Sequence, residues 1–187
     1  MKKNTIYNDS IEYIHKKIKS ILAEVSEKEI KKINDLFLQT NRIFVYGAGR
    51  SGLVAKAFAI RLVHLGFQAF VIGETITAPV QKDDLVVIIS GSGETIPAIM
   101  TAEIAYKLKA KIVSITGKKE SEIAHYADIT LFIHASCNDE KRKKYAPLGT
   151  LFEASVWILL DGIIADLLAS KNETEEIMRS RHATLEQ

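Results

Sequence analysis

From residue 42 onward the chain repeats one pattern: a short run of consecutive apolar residues, then a longer stretch with apolar positions at helical spacing. The runs at 43–46, 67–72, 85–90, 111–116 and 129–134 do not alternate apolar with polar, so both faces of each strand must be covered. Helical patterns at 53–65, stopped by Gly66, at 96–108 and at about 150–169 supply the covers. The pattern predicts an α/β fold, a doubly wound five-stranded parallel sheet between helix layers. Two helices precede it. Ile11, Ile14, Ile18, Ile21, Leu22 and Val25 share one helical face. Ser26-Glu27-Lys28-Glu29 reads as a capping box opening a second helix, with Ile30, Ile33 and Phe37 inward. These helices are expected to cover apolar surface between subunits. The charged segment at 135–147 reads as a solvated loop, and a short helix is expected at 174–181.

Length and composition narrow the class. At 187 residues the chain suits one domain: opening helices at 1–40, an α/β core at 42–170 and a tail at 171–187. Apolar residues make up 47% and prolines number 3, which favours a packed core over disorder. Lys and Arg total 25 against 23 Asp and Glu, a net charge of +2, which argues against a nucleic-acid partner bound by a broad basic field. The single cysteine, Cys137, makes neither an internal disulfide nor a cysteine-rich zinc site. Met1-Lys2-Lys3 is not followed by the apolar run of a signal peptide. The greasiest stretch, 151–169, carries Glu153, Asp161 and Asp166, so it reads as a packed helix rather than a membrane span. The expectation is a cytoplasmic protein with no membrane partner.

Two loops bear on function, because ligands of doubly wound sheets bind beyond the strand C-termini where strand order reverses. Gly47-Ala48-Gly49-Arg50-Ser51-Gly52 lets the backbone turn tightly and offers helix N–H groups to an anion. It also matches GxGxxG, and Glu74, 22 residues past Gly52, lies where a dinucleotide fingerprint wants a ribose-binding acid. A glycine turn with no ligand is the third reading. Ser90-Gly91-Ser92-Gly93-Glu94-Thr95 then sets three hydroxyls and two glycines at a helix start. One hydroxyl suffices for a cap; three make a cup of donors suited to a phosphate monoester. Glu94 is read as a first-turn acid or a second-choice site residue.

These two loops resemble those of the sugar isomerase (SIS) domain. Pro147-Leu148-Gly149-Thr150-Leu151-Phe152-Glu153 and Arg181-His182-Ala183-Thr184-Leu185-Glu186 look like the 6-phospho-3-hexuloisomerase branch. The resemblance covers nearly the whole chain. It implies a flavodoxin-like strand order and isomerisation of D-arabino-hex-3-ulose 6-phosphate to D-fructose 6-phosphate, a step of formaldehyde fixation by the ribulose monophosphate route. It further implies no metal or nicotinamide cofactor, and a homo-tetramer, or at least a dimer, with sites near subunit interfaces.

On this reading Gly49, Arg50, Ser51, Ser90, Gly91, Ser92, Gly93 and Thr95 bind substrate. Glu153 is the base that removes the C2 proton, with a Thr150–Glu153 capping box as its plainer alternative. His182 is the acid or shuttle, in its own or a neighbour's site, reached by a tail that folds over; a solvated terminal histidine is the alternative. Arg50 stabilises enediolate charge or makes a surface ion pair. A 3-ketose phosphorylated on O6 lacks the oxygen that closes a five-membered ring, so His182 suits O2/O3 proton traffic better than ring opening. His64 is a helix histidine and a second-choice site residue. His15, His125 and His134 show no metal-ligand spacing. Trp157 and Phe152 read as core or interface aromatics. Competing functions are another SIS isomerase acting on arabinose 5-phosphate, a non-catalytic phosphosugar sensor, and a nucleotide-binding domain using Glu74.

Overall fold

The computed structural model describes residues 5–135 and 140–183; Cys137 and the Thr184-Leu185-Glu186 end of the terminal motif lie outside the described residues. In chain order the elements are α1 (Ile6–Ala23), α2 (Glu27–Gln39), β1 (Arg42–Gly47), α3 (Arg50–His64), β2 (Gln68–Val71), β3 (Leu85–Ser90), α4 (Ile96–Lys107), β4 (Lys111–Thr116), α5 (Glu122–His125), β5 (Ile129–Phe132), α6 (Glu140–Tyr145), α7 (Thr150–Ser170) and α8 (Glu175–Ser180).

The five strands form one sheet in the order β2-β1-β3-β4-β5, with every neighbouring pair parallel. Register places Ile43 opposite Leu85, Leu85 opposite Lys111, and Val113 opposite Ile129. Successive strand residues point to opposite faces, and both faces are packed. Ile43, Val45, Val87 and Ile89 meet α3 and α7 on one side. Phe44, Val86 and Ile88 meet Ala98, Ala102 and Ala105 of α4 on the other. This double burial is why β3 reads as an unbroken apolar run. β1 is flanked by β2 and β3, whose connections leave in opposite directions, so the switch point lies beyond Gly47 and Ser90.

Helix ends follow local chemistry. Gly66, at φ 81°, stops α3 as expected, and Asn172, at φ 52°, stops α7. Ser26 Oγ accepts from Glu29 N at 3.3 Å, and the Glu29 carboxylate pairs with Lys32 at 3.0 Å. α3 begins at Arg50, three residues earlier than the apolar pattern suggests, so Arg50 and Ser51 belong to a helix start rather than a loop.

One expectation is corrected. The 135–147 segment contains a helix, α6. Its charged side chains face out, while Tyr145 packs on Tyr13 at 5.8 Å and Ala146 is fully buried. The first helices pack on the chain's own core and leave Ile6, Tyr7 and Ile11 of α1 and Leu38 of α2 exposed. Ile18, Ile21, Val25, Ile33 and Phe37 are buried within the chain, because α7 runs along that side and needs a cover. The large apolar side chains left exposed include Leu53 and Ile60 of α3 and Trp157 and Ile158 of α7. Among the described residues no helix is long and apolar enough to cross a membrane.

Candidate active site

The hydroxyl cup forms at the end of β3. Ser90 is buried, and its Oγ accepts from Gly93 N at 3.1 Å. Ser92 Oγ accepts from Glu94 N at 3.2 Å. Thr95 is the N-cap residue of α4, yet its side chain makes no capping bond. Its Oγ1 lies instead 3.3 Å from Ser90 Oγ and 3.4 Å from Ser92 Oγ. Three hydroxyls thus converge at a helix N-terminus, where backbone N–H groups and the helix dipole also favour an anion.

The loop is braced from below. Gly91 O accepts from Gly117 N at 3.1 Å and Gly93 O from Ile123 N at 3.2 Å. A Cβ on Gly93, at φ 67°, would stand 2.3 Å from Ser121 Oγ and 2.8 Å from Thr116 Oγ1, so only glycine fits. Ser121 Oγ is buried without a hydrogen-bond partner among the described residues. Thr116 and Ser121 were missed by sequence reasoning; nothing in their local pattern marks them.

In the neighbouring Gly47–Gly52 turn, two glycines are required by close packing. A Cβ on Gly47 would meet the Ser51 backbone at 2.6 Å, and one on Gly52 would meet Gly47 O at 2.6 Å. Gly49, at φ 57°, faces open space at the α3 start. Ser51 is buried in the first turn. Glu74, the acid that a dinucleotide reading needs, pairs with Lys56 of α3 at 2.5 Å.

Arg50 and Glu153 come together from elements 103 residues apart: Arg50 Nε donates to Glu153 Oε2 at 2.8 Å. The Arg50 side chain is 66% exposed and that of Glu153 13%. The Thr150–Glu153 capping box does not form. Gly149 is the N-cap residue, and Thr150 Oγ1 donates to Pro147 O at 2.6 Å. A Cβ on Gly149 would lie 2.7 Å from Glu153 Oε1, so the missing side chain makes room for the carboxylate. Phe152, one residue earlier, brings its ring to 3.2 Å from the Cβ position of Gly91, which sets the start of α7 against the cup. Arg50, Leu53, Val54, Thr150, Glu153, Ala154, Trp157 and Ile158 line a groove of about 430 Å³.

Glu94 precedes the N-cap residue instead of lying in the first turn of α4, and Lys118 Nζ donates to its Oε1 at 2.7 Å. That hydrogen bond, more than any other cause, holds the Lys118 ammonium above its usual range. His182 is not brought to Glu153. Its ring stacks on buried His64, with centroids 4.0 Å apart and planes at 20°. His64 ends α3, and Arg50 begins it. At 1.5 Å per residue the two lie about 21 Å apart along the axis. The cause is the length of α7, which carries the chain away from the site before the tail can return. His64 and His182 line a second groove with Arg61 and Asp161; it shares Val54 and Trp157 with the first. Trp157, taken from sequence as core or interface, is therefore a wall between two grooves. Among the described residues no group of three or more His, Cys, Asp or Glu side chains is placed to hold a metal ion.

A model of the SIS domain matches residues 36–160. The chain belongs to the SIS domain family. Among SIS relatives, the 3-hexulose-6-phosphate isomerase of Bacillus subtilis is 40% identical over 167 residues, 88% of this chain and 90% of that protein. The 3-hexulose-6-phosphate isomerase of Methylomonas aminofaciens is 38% identical over 176 residues, 94% and 97% of the two chains. The crystal structure of a Methanococcus jannaschii protein, inferred to be a 3-hexulose-6-phosphate isomerase, aligns with a TM-score of 0.84 at 30% identity and covers 95% of this chain and 99% of that one. The resemblance read from the four motifs and the strand order it implied are both borne out.

Proposed function

We propose that this SIS protein isomerises D-arabino-hex-3-ulose 6-phosphate to D-fructose 6-phosphate through a 2,3-enediol, as in formaldehyde fixation by the ribulose monophosphate route. The observation that carries the reading is the Arg50–Glu153 pair beside three converging hydroxyls. Relatives named 3-hexulose-6-phosphate isomerase support the substrate. The cup takes the phosphate, whose roughly two negative charges match hydroxyl and helix N–H donors. Glu153, a carboxylate with little solvent around it, takes the C2 proton and returns a proton to C3. The Arg50 guanidinium keeps the carboxylate paired and offsets negative charge on the enediolate oxygens. His182 moves protons between O2 and O3.

Within one chain His182 sits at the wrong end of α3 for this task. The reading therefore requires a second copy, whose tail supplies the imidazole, and an oligomer, a tetramer on the family pattern. A cytoplasmic location goes with such a metabolic role.

Glu153→Gln tests the assignment, because it keeps shape and removes basicity. Fructose 6-phosphate should raise the unfolding temperature of wild type and variant alike, while turnover falls by at least roughly 10²-fold. A variant that keeps its turnover would return Glu153 to a structural role. Ligand binding without turnover in the wild type would favour a phosphosugar sensor. Faster turnover of arabinose 5-phosphate would favour that isomerase, and stabilisation by NAD alone a nucleotide-binding domain.

A further inference from the structure

We propose that Arg181 is a positioning residue of the active site: held between Glu173 and the last turn of α3, it fixes the His182 ring against His64 so that the imidazole is presented in one orientation. The proposal deepens the reading of His182 as the O2/O3 shuttle and rests on it.

The clamp has three independent parts. Arg181 Nη1 donates to Glu173 Oε2 at 2.5 Å and Nη2 to Oε1 at 3.0 Å, a two-pronged pair with fixed geometry. Arg181 Nη1 also donates to His64 O at 2.9 Å, one of the carbonyls that a helix end leaves without an intrahelical partner. A cation there suits the dipole as well. Finally, the guanidinium occupies the space that a side chain on residue 66 would need. A Cβ on Gly66 would stand 3.1 Å from Arg181 Cζ.

These contacts fall on the residue next to His182 and on the residue whose ring His182 stacks against. His182 N also donates to Arg179 O at 3.1 Å, so the backbone entering the imidazole is set from both sides. Ordering the tail does not by itself need this clamp, because α8 is already anchored by buried Met178 and capped by Thr174, whose Oγ1 accepts from Ile177 N. What the clamp adds is direction at one side chain. Proton transfer is sensitive to that: catalytic groups must be held within about 0.5 Å and 10–20° of productive geometry. A loosened clamp should therefore reduce kcat and leave phosphosugar binding, which belongs to the distant cup, untouched.

The test measures kcat and KM of the full chain on fructose 6-phosphate for Glu173→Gln and Arg181→Lys, each alone and combined with His182→Asn. Glu173→Gln is nearly isosteric, and Arg181→Lys keeps the charge while losing the fork, so at least one folded variant is expected. Each should lower kcat by about tenfold at unchanged KM, and neither should add to the loss already caused by His182→Asn. Equal losses with and without His182 would overturn the proposal, since they mark a clamp that only supports the fold. Full kcat in both clamp variants, with His182→Asn impaired, would overturn it while leaving the shuttle intact. Full kcat in His182→Asn itself would remove the shuttle reading and this proposal together.

Discussion

Glu153 is the proposed base, and its two nearest partners bear on that role. Arg50 supplies the counter-charge at 2.8 Å, and Gly149 supplies the room. Gly149 has φ −81°, which any residue adopts, so Gly149→Ala should fold normally. Its Cβ would displace the carboxylate, and turnover should fall although no reacting group has changed; a retained kcat would show that the position of the carboxylate is not critical. Ser92→Ala removes one cup hydroxyl and should weaken fructose 6-phosphate binding by about 1–3 kcal/mol, measured by calorimetry. The residue types of the candidate site were legible in the sequence, because the reading looked for hydroxyls at a helix start and a carboxylate near them. The pairing of Arg50 with Glu153 was not, since nothing local joins positions 103 apart. Glu94 misled for a smaller reason: Thr95 takes the N-cap position that leaves Glu94 outside the helix and next to Lys118.

Among the elements, strands were the easiest to read, because burial on both faces leaves no polar position in β3 before Ser90. The charged run was the hardest. Two residues, Tyr145 and Ala146, tie α6 to the body, and a stretch of Glu, Lys and Arg says nothing about them until α1 is in place. The tail combines both lessons. Its motif was visible, but its docking site on α3 depends on Arg181 finding Glu173 and a helix-end carbonyl. The hydrogen bond from Arg181 holds the Glu173 carboxyl below its usual range. A folded pKa below the unfolded one means that the unfolded chain takes the proton first. The clamp's stabilisation is then fully present above the ordinary carboxylate range and lost as pH falls through it toward the folded value. Urea midpoints of wild type and Glu173→Gln should therefore differ near neutral pH and converge in acid. A gap that persists unchanged to low pH would show that the clamp is not held by this ionisation.

At the scale of the whole molecule, Leu53, Ile60, Trp157 and Ile158 are exposed apolar side chains that line the two grooves. Leu53 is 62% exposed and Trp157 46%, on the two helices that carry Arg50, Glu153 and His64. A second copy laid antiparallel along α3 and α7 would cover them, and its His182 end would arrive at the first copy's Glu153 end. Two-fold symmetry makes the exchange mutual, so each pair would hold two complete sites, each drawing Glu153 from one chain and His182 from the other. The separation of about 21 Å along α3 thus becomes the spacing across which one chain serves another. Mixing makes the arrangement measurable. Glu153→Gln and His182→Asn homo-oligomers should each be impaired. After subunit exchange about half of the pairs are mixed, and in each mixed pair one site of two holds both native residues. Activity should therefore recover to about a quarter of wild type. A site completed within one chain predicts no recovery, because every chain in the mixture lacks one of the two residues. Light scattering on the same samples ties the result to assembly, and a monomer at micromolar concentration would refute the shared site outright.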